Sequence, residues 1–288
     1  MSTEDGSGTG SYDGFTGRIH YRWWTPAKPQ RLLLLAHGFG DHSGRWSRFA
    51  ERLVRHGNTV LACDHRGHGL SGGTRATIDD FDVVAAEYLM LLDAPHAPRG
   101  LPVILLGHSM GGVIAVRAAV SGVAEPAALV VSGARIGNWP AAEELLEQID
   151  RGELDRRSGT RHPLLDPDIE LDPGALSRDR SVGIEFANDE LAYKGPIPEQ
   201  TLRAYVRAAA ATRDLHRMVR APVLYMHGGA DPITPYQASV ERMLQIATDD
   251  VEVRIFAGAR HSIYNETNRD EVYEVLLRFL ERATANAT

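Results

Sequence analysis

The sequence contains a single cysteine, Cys63, so it cannot form an internal disulfide and no disulfide framework holds the fold. Its longest unbroken apolar runs, at 32–36 and 88–92 among others, are five residues long. Roughly 20 apolar residues are needed to span a bilayer, so no transmembrane segment is expected. The first fourteen residues carry no apolar segment either, so no secretory signal is expected and the expected location is the cytoplasm.

A basic patch is also missing. Lys and Arg total 31 against 38 Asp and Glu, which gives a formal net charge of −7. A nucleic-acid binder usually carries a basic stripe, and the chain has no run of Lys and Arg. The composition therefore disfavours nucleic acid as a partner.

What is present fits a globular protein with a substantial core. The chain has 288 residues, of which 43% are hydrophobic and 24% charged, enough for one large domain or two ordinary ones. The opening residues 1–14 are the exception, since they are mostly Gly, Ser, Thr and acidic residues. That composition predicts a disordered tail.

Short apolar runs alternate with helical patterns along the rest of the chain. Most of the runs are continuously apolar, which is typical of strands covered on both faces. The predicted strands are 19–24, 32–36, 59–63, 103–106, 129–132, 223–227 and Val251–Phe256. Apolar residues at helical spacing follow at 81–92 and 272–280, so the rhythm predicts an α/β fold with a mainly parallel sheet and helices on both faces.

Residues 134–200 interrupt this rhythm. They are polar and rich in proline, and the stretch 139–172 carries ten acidic and four basic residues, or −6 of the chain's −7. A structureless loop of this length is improbable in a compact domain. We therefore expect a mostly helical cap at 134–200, with helices near 141–150 and 174–188, on a core formed by 15–133 and 201–288.

The sharpest motif is GHSMGG, in which Ser109 stands between Gly107 and Gly111. It follows the predicted strand 103–106 and precedes a helical run, which is the strand–turn–helix context of a nucleophile elbow. The glycines leave room for a tight turn that exposes the serine hydroxyl. Ser109 is therefore the predicted nucleophile.

A serine nucleophile needs a base and a group that orients the base. On such a sheet the acid and the histidine follow the serine in that order, at the ends of later strands. Asp231 follows strand 223–227 and His261 follows Val251–Phe256, so these two residues complete the predicted triad. The backbone amides of Phe39, after strand 32–36, and of Met110 are the predicted oxyanion hole.

Five blocks together resemble the monoacylglycerol lipase branch of the serine α/β-hydrolases. They are HGFGDHSGRW at 37–46, DHRGHGLSGG at 64–73, GHSMGG at 107–112, HGGADPITP at 227–235 and ARHSIYNE at 259–266. Within the predicted cap, 177–179 and 188–195 also match a segment found in bacterial members. The resemblance implies hydrolysis of a fatty-acyl ester of glycerol or a similar small alcohol, without a cofactor or a metal.

By position, the resemblance places Asp41 and Arg45 at the polar head group of the substrate, although a local salt bridge between them is an equal alternative. Phe186 stands where the family often has a tyrosine near the glycerol. Because the cap is acidic, we expect at most weak contact with an anionic membrane surface, and a small-molecule ester as the substrate. The sequence leaves the oligomeric state open.

Two other functions remain open. An aminopeptidase of the same fold could bind the substrate amine through Glu143, Glu144 or Glu147. A ligand receptor built on this scaffold would bind at the triad without turnover. Cys63, His65 and His68 lie close together in sequence, but no second cluster completes a metal site, so a structural role is expected for them.

Overall fold

The computed structural model describes residues 5–153, 172–248 and 250–285. Their strands form one eight-stranded sheet in the order β1-β2-β4-β3-β5-β6-β7-β8. The first two strands are antiparallel to their neighbours, and the remaining pairs are parallel. The strands are β1 Gly6–Gly14, β2 Gly17–Thr25, β3 Arg31–Ala36, β4 Asn58–Cys63, β5 Val103–His108, β6 Ala128–Ser132, β7 Val223–Gly228 and β8 Val251–Phe256. All seven predicted strands are confirmed, within two residues at each end.

Helices follow most of the parallel strands. They are α1 Ser47–Val54, α2 Phe81–Leu89, α3 Met110–Val120, α4 Pro140–Asp150, α5 Pro173–Leu176, α6 Arg180–Asn188, α7 Glu199–Ala211, α8 Gln237–Ile246 and α9 Arg269–Thr284. None of the helices in the described part of the chain is both long and apolar enough to cross a membrane.

The sheet is covered on both faces, and the four consecutive leucines of β3 show why its strands are continuously apolar. Leu32 and Leu34 point to one core, which also contains apolar residues of α2 and α3. Leu33 and Leu35 point to the other core, with residues of α1 and α9. Since successive side chains of a strand point to opposite faces, both sets are removed from water. The predicted α/β fold is confirmed.

The prediction of a disordered tail over 1–14 is wrong for residues 6–14, which form β1 along the edge of the sheet. Every second residue at the start of this strand is glycine. A Cβ on Gly8 would lie 2.9 Å from the ring of Trp23, and one on Gly10 would lie 2.5 Å from the ring of Tyr21. The glycines therefore make room for two large aromatic side chains of β2, and the strand is ordered because it covers them.

The predicted cap contains α4, α5, α6 and the start of α7. The helix predicted near 141–150 is confirmed as α4, but the helix predicted at 174–188 is interrupted between α5 and α6. The backbone of Ser177 is extended there, its hydroxyl accepts a hydrogen bond from the amide of Asp179, and the Asp179 carboxylate caps α6. Much of the acidic stretch 139–172 lies outside the described residues, and the boundaries of the cap remain a prediction.

Candidate active site

Ser109 lies in the turn between β5 and α3, with φ 55° and ψ −122°. Few residues other than glycine adopt a positive φ, so the turn is strained. The glycines on either side are required by the packing. A Cβ on Gly107 would overlap the carbonyl oxygen of Gly111, and a Cβ on Gly111 would overlap that of Ala36. The strand–turn–helix context predicted for Ser109 is therefore present.

Asp231 and His261 meet at the same edge of the sheet. Each follows a parallel strand, β7 and β8 respectively, and carboxyl ends of parallel strands lie side by side. His261 Nδ1 lies 2.7 Å from Asp231 Oδ2, and the two side chains are 8% and 1% exposed. Nδ1 therefore donates to the carboxylate, and Nε2 has no hydrogen-bond partner among the described residues.

The carboxylate of Asp231 is held by both of its oxygens. Oδ1 accepts from the amides of Ile233 and Thr234, at 2.8 and 3.1 Å. Oδ2 also contacts His227 Nε2 at 3.0 Å and the Thr234 hydroxyl at 2.9 Å. Burial acts to raise the pKa of Asp231, but the charge of His261 and the hydrogen bonds from both histidines outweigh it and hold that pKa well below its usual range.

His108, the residue before Ser109, packs against the imidazole of His261. The rings of His108 and His261 lie with their centroids 4.9 Å apart. Burial, and secondarily the nearby His261, lowers the pKa of His108 well below its usual value, so this ring is neutral at pH 7. Among the described residues no hydrogen bond joins the Ser109 hydroxyl to His261. Catalytic hydrogen bonds often form only when substrate is bound.

The loop after β3 approaches Ser109 from the other side. A Cβ placed on Gly38 would lie 3.1 Å from Ser109 Cβ and 3.7 Å from its hydroxyl oxygen. The amides of Phe39 and Met110 have no acceptor among the described residues. Two unpaired backbone donors are thus available on the two segments that the sequence indicated for an oxyanion hole.

His37 fixes this loop. Its Nε2 accepts from the amide of His65 at 3.1 Å, so the proton is on Nδ1, which donates to the carbonyl of Gly38 at 2.8 Å. Burial lowers the pKa of His37 to about 4, so the ring keeps this neutral tautomer at pH 7. The histidine after β3 therefore has a structural role that the sequence did not reveal.

Asp41, Arg45 and Phe186, the residues predicted to contact the substrate, lie together, and the polar groups of Asp41 and Arg45 are engaged by the protein. Asp41 pairs with Arg45 Nε at 3.0 Å and accepts from the indole of Trp46 at 2.9 Å. The Arg45 guanidinium lies 5.1 Å from the centroid of the Phe186 ring. The local salt bridge is present, and contact with substrate stays a prediction.

Predicted cap residues contact the loop after β3. Tyr193 donates from its amide to the carbonyl of Gly40 at 2.8 Å, and its ring lies edge-on to Phe39. Asp189 accepts from His42 Nε2 at 2.9 Å. These contacts join the segment after α6 to the loop of the predicted oxyanion hole.

Glu266 joins the predicted cap to the loop of His261. Its side chain is fully buried and accepts from the amides of Arg178 and Arg260, at 3.0 and 2.8 Å, and from Arg178 Nε at 2.9 Å. Arg260 directly precedes His261, so Glu266 sets the position of that loop. Neither Glu266 nor His227 was predicted from the sequence. Their positions in the sequence could have indicated them, since His227 stands four residues before Asp231 and Glu266 stands five residues after His261.

Cys63 is buried, and its Sγ lies 3.9 Å from His65 Nδ1. Burial raises the pKa of the Cys63 thiol to about 12, so it is protonated and unreactive at pH 7. In the described part of the chain, no group of three or more potential ligands has a geometry that could hold a metal ion.

Residues 27–268 match the family described as serine aminopeptidase, S33. The monoacylglycerol lipase of Mycolicibacterium smegmatis is 31% identical over 93% of this chain and 96% of its own length. The human monoglyceride lipase is 28% identical over 92% and 88%. Among solved structures, a soluble variant of Saccharomyces cerevisiae monoglyceride lipase aligns with a TM-score of 0.78 at 23% identity, covering 96% of this chain and 95% of that one. A carboxyl esterase from Bacillus coagulans aligns with a TM-score of 0.76 at 23% identity over 96% and 98%.

The resemblance to monoacylglycerol lipase-like α/β-hydrolases is confirmed, and the chain belongs to the serine aminopeptidase S33 family.

Proposed function

We propose that this carboxylic ester hydrolase cleaves a fatty-acyl ester of glycerol, or of a similar small alcohol, through an acyl-enzyme on Ser109. The observation that carries the proposal is the arrangement of Asp231 and His261. Their contact directs the unpaired Nε2 of His261 away from the carboxylate, at the edge of the sheet where the strained turn holds Ser109.

In the first half of the reaction, His261 Nε2 takes the proton of Ser109 as the hydroxyl oxygen attacks the ester carbonyl. The carbonyl oxygen becomes an oxyanion, which the amides of Phe39 and Met110 stabilise. One such donor lowers the activation barrier by about 3 kcal/mol. The intermediate collapses, the ester C–O bond breaks, and His261 returns its proton to the departing alcohol.

The second half repeats these steps with water. His261 takes a proton from the water as its oxygen attacks the acyl carbonyl, and then gives the proton to Ser109 as the fatty acid leaves. Asp231 stays ionised throughout, because its depressed pKa keeps it from taking the proton from the imidazolium. A histidine base acts only in its neutral form, so activity should fall on the acid side of the pH profile.

The substrate class rests on the relatives. Two curated proteins that align over most of this chain carry the names monoacylglycerol lipase and monoglyceride lipase. Phe186 packs over Arg45 beside the loop of the proposed oxyanion hole, where an alcohol group of the substrate would pass. We propose that this corner receives the head group.

The second candidate, aminopeptidase activity, is favoured by the description of the matching family. The three glutamates that could bind an amine all lie on α4, and each is engaged. Glu143 pairs with Arg213 at 3.8 Å, Glu147 pairs with Arg151 at 3.5 Å, and Glu144 accepts from Gln148 at 3.4 Å. Because these glutamates already interact with neighbouring side chains, they are poorly suited to bind the amino group of a substrate. We therefore rank the esterase first.

A substrate panel tests the proposal. Monoacylglycerols of graded chain length, simple esters, lysophospholipids and aminoacyl anilides are offered to the wild type, to Ser109→Ala and to the matched control Ser121→Ala, at the far end of α3. We expect hydrolysis of monoacylglycerol by the wild type and the control but not by Ser109→Ala. Cleavage of the anilides alone would establish the peptidase, and ligand binding without any turnover would establish the receptor.

We also propose that the enzyme acts in the cytoplasm and binds membrane surfaces at most weakly. The support is the acidic stretch 139–172, which would be repelled by an anionic bilayer. Co-sedimentation with vesicles rich in phosphatidylserine should leave the protein in the supernatant, and tight pelleting would contradict the proposal.

A further inference from the structure

We propose that His227 is a positioning residue for the reaction, a second imidazole that holds the carboxylate of Asp231 and tunes how strongly it acts on His261. The inference rests on the proposed function, since it concerns the same triad.

His227 is fully buried at the end of β7. Its Nε2 lies 3.0 Å from Asp231 Oδ2 and 2.8 Å from the carbonyl oxygen of Thr234. Its Nδ1 lies 2.7 Å from the hydroxyl of Tyr225, which itself lies 3.0 Å from the carbonyl of Ala134. The ring is therefore fixed at both nitrogens.

The position of one proton follows from these contacts. A carboxylate and a carbonyl are both acceptors only, so the nitrogen between them must carry a hydrogen. His227 Nε2–H thus donates to Asp231 whether the Tyr225 hydroxyl donates to Nδ1 or accepts from it. The Thr234 hydroxyl has a single proton and is also within reach of the carbonyl of Gly133, at 3.0 Å, so it cannot serve both acceptors. His227 and His261 therefore both donate hydrogen bonds to Asp231 Oδ2 whichever acceptor the Thr234 hydroxyl serves.

Sharing one oxygen between two imidazoles has a predictable effect on His261. Each donor to Oδ2 stabilises the carboxylate and reduces its pull on the other donor's proton. Without the His227 donor, Asp231 would attract the proton on His261 more strongly. The acid limb of the activity profile would then move to higher pH.

Several other titratable and charged groups lie near the pair formed by Asp231 and His227. Among the described residues, the groups that contact or act on Asp231 and the two imidazoles include His108 at the end of β5, Arg135 after β6, Tyr225 within β7 and Tyr236 before α8. His108 is neutral at pH 7, and burial raises the pKa of Tyr225 above its usual value. Arg135 is charged near neutrality, as are Arg260 and Glu266 in the loop of His261, and no His227 variant alters any of these three.

Two amide variants separate this role from simple packing. Glutamine at position 227 can place an N–H where His227 has Nε2, whereas asparagine is one carbon shorter and reaches only the Nδ1 position. The rate at which a fluorophosphonate labels Ser109 is measured between pH 5 and 9 in the wild type, His227→Gln and His227→Asn. Thermal melting by circular dichroism shows that each variant is folded.

We expect His227→Gln to keep the midpoint of the wild-type profile. We expect His227→Asn to raise it by roughly 0.5–1 pH unit, the effect of losing one typical hydrogen bond, and to slow labelling at the plateau by about tenfold. If His227→Asn does not fold, Tyr225→Phe removes only the hydroxyl at Nδ1 and should move the midpoint in the same direction by a smaller amount.

Equal midpoints in all folded variants, with unchanged plateau rates, would overturn the inference even if stability falls, because packing alone would then explain the residue. Failure of the wild type to react with the probe would instead overturn the proposed function, and the inference with it. The two failures are distinguishable in one experiment.

Discussion

The strained turn at Ser109 predicts that this residue lowers the free energy of unfolding of the protein. A residue with a β-carbon is held at φ 55° and ψ −122°, a conformation that glycine adopts without penalty. Replacing Ser109 with glycine should therefore remove activity and stabilise the fold at the same time. Alanine keeps the β-carbon and should remove activity without the gain.

The size of the effect follows from two opposing contributions. Strain at a non-glycine residue in such a region costs about 1–3 kcal/mol. Glycine has more freedom in the unfolded chain, which costs roughly 0.5–1 kcal/mol. The Ser109 hydroxyl has no hydrogen-bond partner among the described residues, so its removal adds little. The net gain is about 1 kcal/mol, equivalent to a rise in melting temperature of about 2–4 °C.

Thermal melting of Ser109→Gly and Ser109→Ala, followed by circular dichroism or calorimetry, measures the difference directly. The comparison between the two variants cancels the loss of the hydroxyl. A melting temperature for Ser109→Gly equal to or below that of Ser109→Ala would refute the assignment of strain to this turn.

Three further predictions concern residues that shape the site. Gly111→Ala should lower the free energy of unfolding by about 3 kcal/mol, measured in urea, because its β-carbon would overlap the carbonyl of Ala36; a well-folded variant of normal stability would contradict the packing. Glu266→Gln should lower it by about 2 kcal/mol and reduce kcat, because a buried carboxylate loses its charge beside a partly exposed Arg178; the exposed control Glu185→Gln should change less than about 0.5 kcal/mol, and equal effects would argue against the coupling. Because the pKa of Asp231 is depressed on folding, its stabilisation is present above the unfolded value of about 4 and is lost as the pH falls. Asp231→Asn should therefore make stability depend less steeply on pH below about 4, and identical urea profiles between pH 3 and 7 would refute this.

Much of the fold followed from the sequence because its signals are local. Residues 32–36 of β3 are buried on both faces of the sheet, and all of them are apolar. The strand could therefore be predicted from these residues alone. The turn at Ser109 is likewise predictable from neighbouring residues, because a side chain at Gly107 or Gly111 would overlap the backbone. Asp231 and His261 could be placed because the ends of parallel strands meet at one edge.

The features that were missed depend on partners distant in the chain. In the sequence, the glycines of β1 are typical of a flexible tail. In the structure, the rings of Tyr21 and Trp23 occupy the space beside them that side chains would need. His227 and Glu266 read as ordinary polar residues of a strand end and a loop. Their roles come from a carboxylate and a guanidinium that only the folded chain brings within hydrogen-bond distance.

Peptide mapping by mass spectrometry after reaction with a fluorophosphonate identifies the nucleophile. The wild type and Ser121→Ala should carry one adduct, on the peptide that contains Ser109, and their hydrolysis of monoacylglycerol should fall in proportion to the modified fraction. Ser109→Ala should remain unmodified and inactive. An adduct on another residue, or turnover of monoacylglycerol by Ser109→Ala at the wild-type rate, would contradict the acyl-enzyme at Ser109.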